Sequence, residues 1–188
     1  GTRDETDRWG YTSHPKMVAP GFWIGGGVTS IAKDADDVPH ISMTDARFVD
    51  VFDAYMALIH DSGAAYLTEG DKLDIPSECR IIFEEDRALF IDMSFFFIES
   101  MRGMDTDFGI IPYPKLDDTQ EHYYSACFNS ATIWGIPSDN PQPQTAAAVM
   151  EALAAESYQD ITPVFFETCM QEKFARNEDT IEMLNLIR

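Results

Sequence analysis

The chain has 188 residues, 45% hydrophobic and 24% charged, enough for one ordinary domain core or two small lobes. Its 13 basic residues face 33 acidic ones, a net charge of -20, with no Lys or Arg cluster to neutralise phosphates. That argues against nucleic acid and anionic membrane surfaces as partners; a solvated surface accounts for the acidity, and a basic docking partner steered by charge is the sharper alternative.

No apolar run reaches membrane-spanning length and no signal peptide is visible. Gly1 in place of a Met reads as a processed or trimmed start. Cys79, Cys127 and Cys169 are far apart and lack CxxC spacing, so the expectation is free, mostly buried thiols rather than a zinc or redox motif.

Residues 1–20 are polar and punctuated by Gly10, Pro15 and Pro20. They read as a loop in which Trp9 and Tyr11 either stack on a ligand or fold back on the core. Phe22-Trp23-Ile24 followed by three glycines is a short apolar run ending in a flexible turn; the glycines lack dinucleotide-site spacing. Val28 to His40 reads as a hairpin whose tip is KDADD. Asp34, Asp36 and Asp37 lack the Gly and terminal Glu of a calcium loop, so a solvated turn is expected.

Thr44 is placed to cap a helix over Asp45–Ile59, closed by Asp61-Ser62-Gly63, with Phe48, Val51, Phe52, Tyr55, Met56 and Ile59 as its core stripe. Pro76 and Ser77 open a second helix to about Glu85. Ala88 to Ile91 is strand-like, Asp92 and Ser94 break it, and Phe95, Ile98, Met101 and Arg102 follow at helical spacing up to Gly103. Ile110-Ile111 then reads as a second strand, which would make this stretch a small crossover unit. Ligand sites in α/β proteins lie where strands end and helices begin, which directs attention to Asp92–Phe96.

Lys115–His122 is a polar link, and Tyr123–Cys127 and Ala131–Ile136 read as extended. Asn140-Pro141 has the form of an N-cap and first helical residue, and Ala146–Ala155 reads as a packed helix with Val149, Met150 and Leu153 on one face. Two more helices hold Pro163 to Met170 and Ile181 to Ile187.

No nucleophile–base motif, metal cluster or phosphate loop is present, and His14, His40, His60 and His122 are scattered. Among 33 acids some glycosidase-like pair will always look suggestive, so a carboxylate hydrolase stays open as an alternative. Aromatic faces from Trp9, Tyr11, Trp23, Phe95, Tyr123, Phe128 and Trp134, with Asp92, Ser94, Asn129 and Ser130 as polar groups, describe a small-molecule cleft suited to sugars. Core packing is the plainer reading for each ring.

The ordered set FEEDRALFIDMSFFFIESMR, DFGIIPYPK, YYSACFNSATIWGIPSDNPQPQTAAAVMEALAAES and FARNEDTIEMLNLI resembles the bacterial extracellular solute-binding proteins of family 1. GFWIGGGVTSIAKDADDVP looks like the hairpin that precedes a helix in that family. The resemblance implies an α/β, type II periplasmic-binding-protein-like fold, mainly its C-terminal lobe, helix-rich with short strands. It implies extracellular capture of a small solute, a sugar or oligosaccharide, by a lipid-anchored or periplasmic protein that serves an ABC importer permease, without catalysis or a cofactor. Family members are longer, so the chain looks like an internal segment: 1–117 in the C-terminal lobe, 118–156 crossing into the other lobe, 157–188 returning. The glycine and tryptophan usual at the family's cleft turn are replaced by Asp92, Met93, Ser94 and Phe95. The resemblance implies that this turn faces the loop Phe128–Ser130, with Phe95 or Trp9 as stacking face and Asn129 and Asp92 as polar contacts; together with the aromatic and polar groups named above, the expected ligand contacts are Trp9, Tyr11, Trp23, Asp92, Ser94, Phe95, Phe128, Asn129 and Ser130. A non-transport module that keeps one lobe is a further alternative.

Overall fold

The structure is a computed structural model; it describes residues 4, 6–68, 78–127, 132–168 and 178–187, with the backbone alone at 16–18. It is a mixed α/β chain with a parallel sheet. The elements run β1 (Trp9–Ser13), α1 (Pro15–Gly25), β2 (Ile31–Lys33), β3 (Pro39–Ile41), α2 (Ala46–Met56), β4 (Ala65–Leu67), α3 (Glu78–Glu84), β5 (Ala88–Ile91), α4 (Pro143–Glu156) and α5 (Glu178–Ile187). Two compact units divide it. One holds the chain to Asp107 together with Pro112–Ala126; the other holds Phe108–Ile111 and Cys127–Leu186.

The first unit is built on a three-stranded parallel sheet in the order β4-β1-β5. Tyr11 aligns with Ala65 on one side and Phe90 on the other. Parallel neighbours need crossovers, and α1, the β2–β3 hairpin and α2 supply the first, while α3 supplies the second. β1 therefore lies between the two strands that follow it, and the chain leaves it on one side and returns on the other.

The polar opening does not stay a loop. Tyr11, Thr12 and Ser13 alternate across a central strand and are buried on both faces. The apolar run at Phe22 forms the last turns of α1. Pro15 begins that helix, where its missing N–H costs nothing, and Pro20 lies inside it. Phe22 and Trp23 pack from α1 onto α2: the Trp23 ring centroid is 5.1 Å from Phe48 and 5.0 Å from Tyr55, and Phe22 is 5.8 Å from Tyr55.

The KDADD hairpin forms as expected, with β2 and β3 antiparallel. Asp34 Oδ1 accepts from the backbone N–H of Asp36 and of Val38, each at 2.9 Å, and Asp37 takes the left-handed φ of 66° that closes the turn. Helix α2 also forms, continues as a π turn over Ala57–Asp61, and stops at Gly63 with φ 62°. Its cap position is Asp45 rather than Thr44, with no side-chain cap bond. Phe48, Val51, Tyr55 and Ile59 are buried on one stripe, but Phe52 lies on its flank and is 41% exposed.

β5 forms over the expected residues. The segment after it is a 3₁₀ helix, Phe95–Gly103, with Ile98 and Met101 buried, and their three-residue spacing suits three residues per turn. Ile110-Ile111 is not a strand, so there is no miniature crossover unit; β5 pairs with β1 instead. Pro112 and Pro114 have no N–H to give a ladder.

Described residues within Tyr123–Cys127 and Ala131–Ile136 are irregular rather than ladder-paired. Helix α4 starts two residues later than expected, at Pro143; Asn140 Oδ1 instead accepts from Gln142 N at 2.8 Å, forming a turn ahead of the helix. α4 buries none of its residues, and Val149 and Leu153 are exposed, so it is not a packed helix within this chain. α5 buries Thr180 and Leu184. Cys79 is a buried thiol and Cys127 an exposed one, while Cys169 lies outside the described residues, as do Pro76 and Ser77. Among the described residues no helix is long and apolar enough to cross a membrane.

The stripe on α2 sets the first expectation. Phe48→Ala, at a ring only 3% exposed, should cost about 3–5 kcal/mol. Phe52→Ala should cost less than about half of that, because its ring keeps much of its contact with water. Urea denaturation of both variants measures the difference; equal losses would show that the two rings share one environment.

Candidate functional site

The carboxyl ends of the three parallel strands bring together the polar groups of the first unit. Thr12, Ser13, His14 and Thr68 are all buried there, and Asp92 follows β5 immediately. Strand alternation puts Tyr11 and Ser13 on one face of β1, and the Tyr11–Phe90 register brings Asp92 level with Ser13. In open parallel sheets ligands bind beyond the strands' carboxyl ends, in the crevice where the strand order reverses. Here the strand order reverses between β1 and β5.

Asp92 is its central group. Tyr113 Oη donates to Asp92 Oδ2 at 2.8 Å. Asp92 Oδ1 and Tyr11 Oη are buried and have no hydrogen bond of regular geometry, although the Tyr11 and Ser13 hydroxyls stand close enough to favour the ionised carboxylate. Burial outweighs that help and pushes the Asp92 carboxyl above its ordinary 3.8. The phenols of Tyr11, Tyr113 and Tyr55 are pushed up as well, first by burial and then by the Asp92 charge. They therefore remain protonated donors at neutral pH.

Tyr113 reaches Asp92 because α1 is cut away beneath it. A Cβ on Gly21 would enter the Tyr113 ring, and one on Gly25 would lie 2.5 Å from Tyr113 Cβ. Gly21 and Gly25 lie one turn apart, so together they form a groove on one helix face that seats the tyrosine. Phe22 contacts three of the tyrosines, at centroid distances of 6.1 Å to Tyr11, 5.8 Å to Tyr55 and 5.7 Å to Tyr113. Gln120 secures the chain beyond: its Nε2 donates to Gly25 O at 2.7 Å and to His122 O at 2.9 Å.

Of the residues expected to bind ligand, Tyr11 and Asp92 meet here, with Tyr11 contributing its hydroxyl rather than an exposed ring. Trp9 starts β1, about 13 Å along an extended strand from Ser13, and its ring lies 5.2 Å from that of Tyr66; it does not belong to the carboxyl edge. Trp23 is a packing residue between α1 and α2, ringed by Phe48, Phe52 and Tyr55. Ser94 is the N-cap of the 3₁₀ helix, its hydroxyl accepting from Phe96 N at 3.3 Å, and partly buried Phe95 is that helix's first residue. Asp92 does not take the capping role. Phe128, Asn129 and Ser130 lie outside the described residues, and so does the expected pairing of their loop with the Asp92 turn.

Tyr113, Ser13, Tyr55, Gly21 and Gly25 escape sequence reasoning. Two signals were available: glycines four apart, and a tyrosine held between Pro112 and Pro114. The chain matches no protein-family model, and no curated protein or solved structure matches it.

Two outcomes follow from this geometry. A carboxyl whose folded pKa is raised contributes its full stability below 3.8, where it is protonated in both states, and loses it as pH rises through the folded value. Asp92→Asn should therefore gain stability relative to the native chain as pH rises over that window; a gap independent of pH, in denaturation curves taken from pH 3.5 to 8, would contradict a buried carboxyl. Gly21→Ala should cost about 1–3 kcal/mol by overpacking the Tyr113 ring. Near-ultraviolet circular dichroism should record the displaced tyrosine.

Proposed function

We propose that this chain is part of an extracellular solute-binding protein resembling those of family 1, with a type II periplasmic-binding-protein-like fold. It captures a small carbohydrate for an ABC importer permease and catalyses no reaction. The observation that carries the reading is the carboxyl edge of the parallel sheet. There a carboxylate, two phenols and a serine hydroxyl converge beside packed aromatic rings, at the point where the strand order reverses. Sugars present hydroxyls to such acceptors and donors, and C–H faces to rings.

The ordered sequence resemblance supports the family reading independently of the site. Besides burial, the groups that act most strongly on Asp92 are hydroxyls, the kind of neighbour that leaves its oxygens to accept from a hydroxyl-bearing solute. That favours capture over hydrolysis. A one-lobe interaction module is the reading left if no solute binds.

The test is thermal melting against a panel of mono- and oligosaccharides. A binder's midpoint rises with ligand concentration. Asp92→Ala and Tyr113→Phe should reduce the rise by more than half. Equal rises in all three proteins would remove Asp92 from the site, cleavage of any sugar would favour the hydrolase, and a folded chain whose midpoint moves for none would leave the interaction module.

A further inference from the structure

Resting on the reading of the Asp92 edge as the solute site, we propose that its solute carries a protonated amine, an amino sugar rather than a neutral one. Its ammonium would donate to Asp92 Oδ1 beside the Tyr11 and Tyr113 hydroxyls.

Neutral groups surround the carboxylate. Tyr11 and Ser13 face it from β1, Tyr55 from α2, and Tyr113 from the segment after Pro112; all four are neutral. Among the described residues no Lys, Arg or His forms an ion pair with Asp92. A buried carboxylate is costly unless a charge of opposite sign compensates it. Hydroxyl donors go part of the way, since Tyr113 serves Oδ2 at 2.8 Å. The buried Oδ1 has no such bond, and neither has the buried Tyr11 Oη.

A neutral sugar hydroxyl brings one donor and no charge to that oxygen. An ammonium brings three donors and a positive charge, so it can bond Oδ1 and a phenol oxygen together while offsetting the burial of the carboxylate. The net charge of -20 also raises the local concentration of cations around the whole chain.

The experiment is isothermal titration calorimetry on the whole chain at pH 7. Glucosamine and galactosamine are compared with glucose and galactose, and ethanolamine serves as an ammonium without a sugar. Each amino sugar should bind at least about tenfold more tightly than its neutral counterpart, the size of a charge-assisted hydrogen bond. Ethanolamine should bind weakly but measurably. Asp92→Asn, which keeps an acceptor but no charge, should remove the amine preference, bringing each amino sugar to the affinity of its neutral counterpart. The matched pairs on the native chain need no variant to fold.

Equal affinities within each pair, or a preference that survives Asp92→Asn, would overturn the inference while leaving carbohydrate capture intact. Ethanolamine bound through Asp92 with no saccharide bound would uphold the ammonium site and overturn the carbohydrate reading. No binding of any amine overturns the inference outright.

Discussion

A single hydrogen bond, Tyr113 Oη to Asp92 Oδ2, holds the first unit's polar edge together. It joins two segments that no ladder connects: the residue leaving β5 and the proline-flanked stretch that returns over α1. Its donor is correctly placed only because Gly21 and Gly25 remove two side chains from one face of α1. The same helix sends Phe22 and Trp23 against α2. A small face and a large one, a fraction of a turn apart, make α1 both the seat of the tyrosine and the wedge of the aromatic core.

The cost of that arrangement falls on the carboxylate. Burial raises its pKa against three hydroxyls that favour the charge. A carboxyl raised in this way loses stability for the fold as pH rises. The sheet topology places it at the carboxyl ends of the strands. With β1 between β4 and β5, the strand order reverses between β1 and β5, beside Asp92.

The second unit behaves differently. α4 is rich in alanine and forms a long, regular helix, yet it buries none of its residues. Helix propensity explains its backbone; burial plays no part in it within this chain. Only Thr180 and Leu184 on α5 are well buried among the described helices of this unit.

Local physics was readable from the residues alone. The turn at KDADD, the helix stop at Gly63, the stripe on α2, the four-residue strand at Ala88 and the helical spacing of Ile98 and Met101 all depend on neighbours within one or two turns. Asp92 also stands out, because a charge directly after an apolar strand is conspicuous in sequence. The partners of that charge were not readable. Ser13 is 79 positions from it in a stretch that looks like polar loop, and burial on both faces of a central strand is a property of the sheet, not of the pattern. Tyr113 is reached only through the groove on α1, and a glycine pair reads as flexibility until something is seated on it. Trp9 and Trp23 went the other way: an aromatic in sequence carries no sign of whether its face meets solvent or another ring. Which of these side chains meet is decided by strand order and helix docking, because contacts between residues distant in the chain arise only when crossovers bring their elements together.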